Sequence, residues 1–117
     1  MMNQTLRKGR RYDLRITQND AVKLRATLQD DGGDAIDLTN GTVKLYAKIH
    51  PSDSSALIDI TGSVVSAALG IVDFSFTTTH TANVRKLFAE VELQDVEATG
   101  INETLVKFDL AVTQDVG

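Results

Sequence analysis

The sequence has no cysteine and no tryptophan, and only one proline among its 117 residues. Without cysteine the chain can form neither a disulfide framework nor a thiolate metal site. No apolar run approaches the roughly 20 residues needed to cross a membrane, so no membrane partner is expected. The positively charged start has no apolar segment after it, which does not fit a signal peptide. The length is that of a single domain with its own core.

Charge is distributed unevenly along the chain, although the net charge is only −4. Residues 1–25 hold seven basic and two acidic side chains, a balance of +5, and the remainder holds five and fourteen, a balance of −9. A basic start on an acidic body predicts an extended N-terminal arm, residues 1–11, that docks onto an acidic surface such as a neighbouring copy. The candidate partner-binding residues are Arg7, Lys8, Arg10 and Arg11. A solvated, poorly ordered terminus is the alternative. Nucleic acid is not expected as a partner, because the rest of the chain would repel phosphate.

Alternation of apolar and polar residues is the main structural signal. It runs through residues 22–28 and again through residues 43–49, with an acidic glycine turn at residues 30–34 between them. A period of two indicates a strand with one buried face and one solvated face. The two segments therefore predict a pair of antiparallel strands that share an apolar face.

Further alternating segments follow at intervals of about ten residues. Turn signals such as Asn40-Gly41 and Gly70 separate them, and an acidic loop at residues 96–103 precedes the last strand. Short strands at this spacing predict an all-β fold, a β-sandwich of about seven or eight strands over residues 12–117. The predicted strands cover residues 12–16, 22–29, 42–49, 57–61, 71–76, 87–93 and 105–113, with a further strand possible at residues 64–65.

No group of side chains has the arrangement of a known active site. The aspartates at residues 30–37 do not fit the EF-hand spacing, so a solvated turn is expected rather than a calcium site. His50 and His80 are isolated in polar loops, and Glu90 and Glu92 are neighbours on one outward strand face. No serine lies in a nucleophile elbow, and there is no glycine-rich phosphate loop. We therefore expect no enzymatic activity, no catalytic residue, no bound metal and no cofactor.

Several segments occur in an order that is similar to a known family. Residues 22–28 alternate, residues 30–33 form the acidic turn, and Ala35-Ile36-Asp37-Leu38-Thr39-Asn40-Gly41-Thr42-Val43 follows. Farther on are Gly70-Ile71-Val72-Asp73-Phe74, Leu87-Phe88-Ala89-Glu90-Val91-Glu92-Leu93 and Phe108-Asp109-Leu110-Ala111-Val112. This order resembles the N-terminal immunoglobulin-like domain of phage baseplate upper proteins and related small tail-associated domains, over about residues 12–116.

The resemblance implies an immunoglobulin-like antiparallel sandwich with a structural role in a bacteriophage virion. The chain would be a small adaptor or connector of the tail, baseplate or neck, assembled in the host cytoplasm. It would act by self-assembly and docking, with other virion proteins and further copies of itself as partners. A capsid decoration protein and a carbohydrate- or receptor-binding module are the alternatives.

Overall fold

The structure, a computed structural model, describes residues 1–95 and 102–114 and shows two β-sheets packed face to face. Sheet A has the strand order β1-β3-β7-β6, and sheet B has the order β2-β9-β8-β4-β5. The strands of the described residues are β1 (Met2–Arg7), β2 (Arg11–Thr17), β3 (Val22–Gln29), β4 (Gly41–Lys48), β5 (Ile58–Thr61), β6 (Ser63–Ser66), β7 (Ile71–Phe76), β8 (Arg85–Asp95) and β9 (Asn102–Thr113).

This strand order is that of an immunoglobulin-type sandwich. Sheet A corresponds to the ABED sheet, and sheet B corresponds to the GFC sheet with one further strand at each edge, β2 and β5. The predicted all-β sandwich is therefore confirmed, with nine strands described instead of seven or eight. Across the described residues, no helix has the length and apolar character needed to cross a membrane. Most of the acidic loop predicted at residues 96–103, and the last three residues of the predicted domain, lie outside the described residues.

The N-terminal segment is a strand of the sandwich, so the prediction of an extended arm over residues 1–11 is wrong. β1 pairs in parallel with β3, from Met2 opposite Leu24 to Arg7 opposite Gln29. Leu6 is only 4% exposed and belongs to the core. The sequence signal was weak because β1 is an edge strand in which Met2, partly buried, and Leu6 are the only apolar residues. The boundary of the predicted sandwich domain at residue 12 is also wrong, since it falls inside β2.

The predicted pairing of residues 22–28 with residues 43–49 is wrong as well. β3 belongs to sheet A, where it pairs with β1 and β7, whereas β4 belongs to sheet B, where it pairs with β5 and β8. The acidic turn and the segment after it carry the chain from one sheet to the other. The apolar faces of β3 and β4 do contribute to one core, but they do so from opposite sheets. Alternation identifies a buried face without identifying the neighbouring strand.

The core fills the space between the sheets, and the alternating residues supply it as predicted. Val72, Phe74 and Phe76 point inward from β7, and each is at most 2% exposed. β8 contributes Leu87, Ala89 and Val91, and β9 contributes Val106, Phe108, Leu110 and Val112. Burial of these side chains is the main favourable contribution to folding, at about 25 cal/mol for each Å² of apolar surface removed from water.

Polar groups at the edge of the core are paired. Arg25 donates from Nε to Asp73 Oδ1 at 2.8 Å and from Nη2 to Asp73 Oδ2 at 3.0 Å, which joins β3 to β7. These hydrogen bonds from Arg25 hold the pKa of Asp73 below its ordinary value. The buried hydroxyl of Thr81 donates to the carbonyl of Asp20 at 2.7 Å and ties two loops together. In the part of the chain that the structure describes, every buried side-chain nitrogen or oxygen has a hydrogen-bond partner.

The chain passes between the sheets five times. Two of these passages, which we call the first and second crossings, join edge strands, β1 to β2 and β5 to β6, and each contains a glycine. Gly9, with a φ of +80°, lies between β1 of sheet A and β2 of sheet B. Gly62 lies between β5 of sheet B and β6 of sheet A, and its N–H donates to the carbonyl of Val43 at 2.8 Å. A Cβ on Gly62 would lie 2.5 Å from Val72 Cγ2 and 2.9 Å from Phe74 Cε1. The second crossing therefore has no room for a side chain.

We predict that Gly62→Ala lowers the free energy of unfolding by about 2 kcal/mol, because the added methyl group overpacks the core. Urea denaturation of the purified protein measures the difference. Gly32→Ala is the matched control, since a Cβ there would meet only the Asp30 carboxylate, at 3.4 Å in an exposed turn. Equal stability of Gly62→Ala and the wild type would contradict the predicted steric conflict.

Candidate docking surface

The four basic residues predicted to bind a partner surround the first crossing. Arg7 ends β1, Lys8 and Arg10 flank Gly9, and Arg11 begins β2. The N–H of Arg10 donates to the carbonyl of Arg7 at 3.2 Å, which closes a tight turn. The backbone of this segment is therefore held by both sheets.

Two of the four side chains are paired with acidic residues of β9 in the same chain. Lys8 forms an ion pair with Glu103, and the resulting hydrogen bond raises the pKa of Lys8. Arg11 Nη2 donates to Asp109 Oδ1 at 2.7 Å. The basic start thus contacts an acidic surface as the charge pattern suggests, but that surface is part of its own domain.

The other two side chains point in different directions. The guanidinium of Arg7 lies against the acidic turn, with Nη2 about 3.0 Å from where a Cβ on Gly33 would be. Arg10 is exposed, and none of the carboxylates of the described residues lies within ion-pair distance of it. The structure therefore does not gather the four residues into one patch, and their role in binding a partner stays a prediction.

The side chain of Tyr12 holds the first crossing in place from the core side. Its ring packs on the core from β2, and its hydroxyl accepts a hydrogen bond from the N–H of Arg7 at 2.8 Å. The bond joins the end of β1 to the start of β2 across the crossing. It also satisfies a backbone donor that would otherwise be left without a partner at the crossing.

The second candidate docking surface is the outer face of sheet B. Its side chains form rows across the strands, and one row pairs Asp59 with Tyr46, Tyr46 with Glu90, Glu90 with Lys107, and Lys107 with Arg11. The row beside it contains Lys48 opposite Phe88 and Phe88 opposite Asp109. Acidic, basic and aromatic side chains are thus neighbours on one face across five strands.

A shallow depression of about 210 Å³ lies in this face. We call it the sheet B shelf, and it is lined by Arg11, Tyr46, Lys48, Pro51, Phe88, Glu90 and Lys107. Pro51 and the loop between β4 and β5 form one wall of it. A second, broader depression adjoins the shelf and shares Tyr46, Lys48 and Glu90 with it. The shelf therefore continues into a wide, open surface and is not an enclosed cavity.

The charges of the shelf are only partly compensated. Near it, Lys44 forms an ion pair with Asp59 at 2.7 Å, which raises the pKa of Lys44, and the ammonium also lies 5.7 Å from the centre of the Tyr46 ring. By contrast, Lys48 and Lys107 form no ion pair with any described residue. Two ammonium groups and two half-buried rings are thus available to a partner.

The remaining polar residues singled out in the sequence have local structural partners. Asp30 Oδ1 accepts hydrogen bonds from the N–H groups of Gly32 and Asp34, each at 2.9 Å, so this carboxylate shapes its own turn. His80 Nδ1 accepts a hydrogen bond from the N–H of Thr77 at 3.0 Å. Over residues 1–95 and 102–114, no three His, Asp or Glu side chains converge as metal ligands.

Sequence reasoning missed the shelf, although part of its signal was present. Alternation places Lys44, Tyr46 and Lys48 on one outward face, and Phe88 and Glu90 on another. Only the strand register shows that these faces are neighbours and that Lys107 and Arg11 continue the same row. Glu90 and Glu92 were interpreted as a solvated face, and Glu90 instead lines the shelf.

Comparison with known proteins gives a structural match but no sequence match. No protein-family model matches the chain, and no curated protein matches it. Among solved structures, the N-terminal domain of phage TP901-1 ORF48 has a TM-score of 0.70 and 11% sequence identity. The match covers 95% of this chain and 98% of that domain. The two chains therefore share a fold over nearly their whole length, and at this identity the likeness is one of fold alone.

We predict that Tyr12→Phe lowers the free energy of unfolding by about 1 kcal/mol, because it removes the acceptor of the Arg7 N–H. Chemical denaturation measures this loss. Tyr46→Phe is the matched control, because the hydroxyl of Tyr46 accepts a hydrogen bond from the Gln94 side chain, at 3.1 Å on the open face of sheet B, and from no backbone N–H of the described residues. If both substitutions had the same small effect, the hydroxyl of Tyr12 would not stabilise the crossing.

Proposed function

We propose that this chain is a structural protein of a bacteriophage virion, a small adaptor or connector of the tail, baseplate or neck. The observation that carries the proposal is the match with a phage domain, which extends over nearly the full length of both chains. The order of segments in the sequence, which resembles baseplate upper proteins, supports the same assignment independently of the structure. The protein would act in the particle by docking onto other virion proteins and onto further copies of itself.

The sheet B shelf is the surface best suited to such docking. Aromatic rings supply contact area at a protein interface, and charged groups around them fix orientation and select the partner. Tyr46 and Phe88 supply the rings, and Lys48 and Lys107 supply charges that form no ion pair with any described residue of the chain. A partner surface that presents carboxylates beside apolar groups matches this arrangement. Repetition of the contact around a particle would strengthen it through multivalency.

Immunogold electron microscopy of particles from a lysate of the source organism tests the assignment, with antibody raised against this chain. We expect gold at one end of the tail or at the neck. Gold over the whole head would instead indicate a capsid decoration protein. Absence of gold from every particle would contradict a virion role. It would leave a carbohydrate- or receptor-binding module, for which Tyr46 and Phe88 would be the stacking surfaces.

For the shelf, we predict that Lys48→Glu combined with Lys107→Glu prevents incorporation into particles while leaving the fold intact. The reversed charges would repel an acidic partner surface. Immunoblots of purified particles measure incorporation, and circular dichroism of the purified protein checks the fold. Arg15→Glu combined with Lys23→Glu changes the net charge equally at two exposed positions outside the shelf. Normal incorporation of the shelf variant, or equal loss for both variants, would exclude the shelf as the docking site.

A further inference from the structure

A depression beside the first crossing is lined by charges of one sign. It has a volume of about 320 Å³, and it lies between residues 8–11 and residues 104–107 of β9. We call it the crossing groove. Its charged lining residues in the described part of the chain are Lys8, Arg10, Arg11 and Lys107, all of them basic. The groove meets the sheet B shelf at Arg11 and Lys107, but the shelf is also lined by the carboxylate of Glu90.

Backbone hydrogen bonds to both sheets fix the position of this groove. The N–H of Lys8 donates to the carbonyl of Gln29 at 2.8 Å in sheet A, and the N–H of Gly9 donates to the carbonyl of Leu105 at 3.1 Å in sheet B. A Cβ on Gly9 would meet no atom within 4 Å, so the space above this glycine is open. Because the backbone is already ordered, binding would require the ordering of side chains only.

Two of the four cations are held by carboxylates of the same chain. Lys8 forms an ion pair with Glu103, and Arg11 Nη2 donates to Asp109 Oδ1 at 2.7 Å. Glu103 and Asp109 lie on β9, on either side of the lining residues of that strand. Carboxylates are therefore ligands that the margins of this groove already bind.

The other two cations have no such partner. Arg10 and Lys107 are exposed, and neither forms an ion pair with a described residue. Arg10 precedes Arg11, which lies opposite Lys107 in the register of β2 and β9. Neighbouring strands are about 4.8 Å apart. Two carboxylates of one short segment can therefore reach both side chains, and a guanidinium binds a carboxylate with two parallel hydrogen bonds.

The charges around the groove favour a short acidic segment over a nucleic acid. The hydrogen bond with Glu103 and, to a smaller extent, the charges of Asp31 and Asp30 raise the pKa of Lys8, so negative charge bounds the groove on that side. Residues 26–117 have a charge balance of −9. A long run of phosphates would extend over this acidic surface and be repelled by it. A segment of a few residues can contact Arg10 and Lys107 without extending so far.

We propose that the crossing groove binds a short acidic peptide segment of a different protein, whose carboxylates contact Arg10 and Lys107. This proposal does not depend on a phage role, because it concerns the chemistry that the isolated chain recognises. Failure of immunogold labelling would leave it standing. Failure of peptide binding would leave the virion assignment standing.

Fluorescence polarisation with the purified full chain tests the proposal. The probe is a labelled short peptide of alternating glutamate and threonine at low ionic strength. We expect saturable binding that Arg10→Glu weakens about tenfold or more, because the reversed charge repels carboxylates. Lys48→Glu is the matched control, since it makes the same kind of charge reversal at a lysine that lines the shelf but not the groove, and it should bind like the wild type. Absence of saturable binding to the wild type, or an equal loss in both variants, would overturn the proposal.

A labelled single-stranded DNA oligonucleotide of the same length distinguishes the two kinds of anion. We expect it to bind more weakly than the acidic peptide. Tighter binding of the oligonucleotide would contradict an acidic segment as the occupant, and its loss in Arg10→Glu would identify the groove as a phosphate site. Circular dichroism of both variants checks that these surface substitutions leave the fold intact.

A second copy of the chain is a poorer source of the acidic segment. In its acidic turn, Asp30 Oδ1 already accepts the N–H groups of Gly32 and Asp34, and the guanidinium of Arg7 lies against the same turn. Sedimentation velocity of the chain alone should therefore show a monomer. A dimer in the wild type that is absent from Arg10→Glu would show that a second copy occupies the groove, and it would contradict the proposal.

Discussion

The close packing of the backbone against the core where the chain changes sheets is the constraint on which this structure depends. Each sheet has one apolar face, and the two faces bury each other only if the sheets are held face to face. The two crossings hold the sheets together at the sides, in addition to the connections from β2 to β3, β3 to β4 and β7 to β8. Gly62 achieves this on one side, where its Cα approaches Val72 and Phe74 too closely for any side chain. The turn at Gly9 achieves it on the other side, where Tyr12 holds the ends of β1 and β2 together. Edge strands of one sheet thus continue directly into edge strands of the other.

The first crossing also determines what the basic N-terminal residues can do. Because β1 and β2 belong to different sheets, the residues between them are fixed in position and cannot act as a flexible arm. Lys8 and Arg11 then face acidic residues of β9 and form ion pairs at the surface of the same domain. Such exposed pairs contribute little to stability. Their larger effect is to orient Arg11 at the margin of the sheet B shelf, between the crossing and the free lysines.

The sequence predicted which residues are buried far better than which strands are neighbours. Alternation in β7, β8 and β9 identified the inward residues correctly, because the period of two follows directly from strand geometry. It could not show that β3 and β4 lie in different sheets, since both arrangements bury the same faces. Nor could it find β1, where Leu6 is the single core residue in a polar edge strand. The shelf could not be predicted for the same reason, because only the register of β4, β8 and β9 brings Tyr46, Phe88 and Lys107 together.

The two sides of the sandwich differ in a way that bears on assembly. On the side of β1 and β2, charged edges and ion pairs with β9 disfavour strand addition. On the side of β5 and β6, the crossing at Gly62 leads into a short, uncharged strand at the edge of sheet A. The shelf lies on the outer face of sheet B, so a partner bound there would leave the β6 edge of sheet A free.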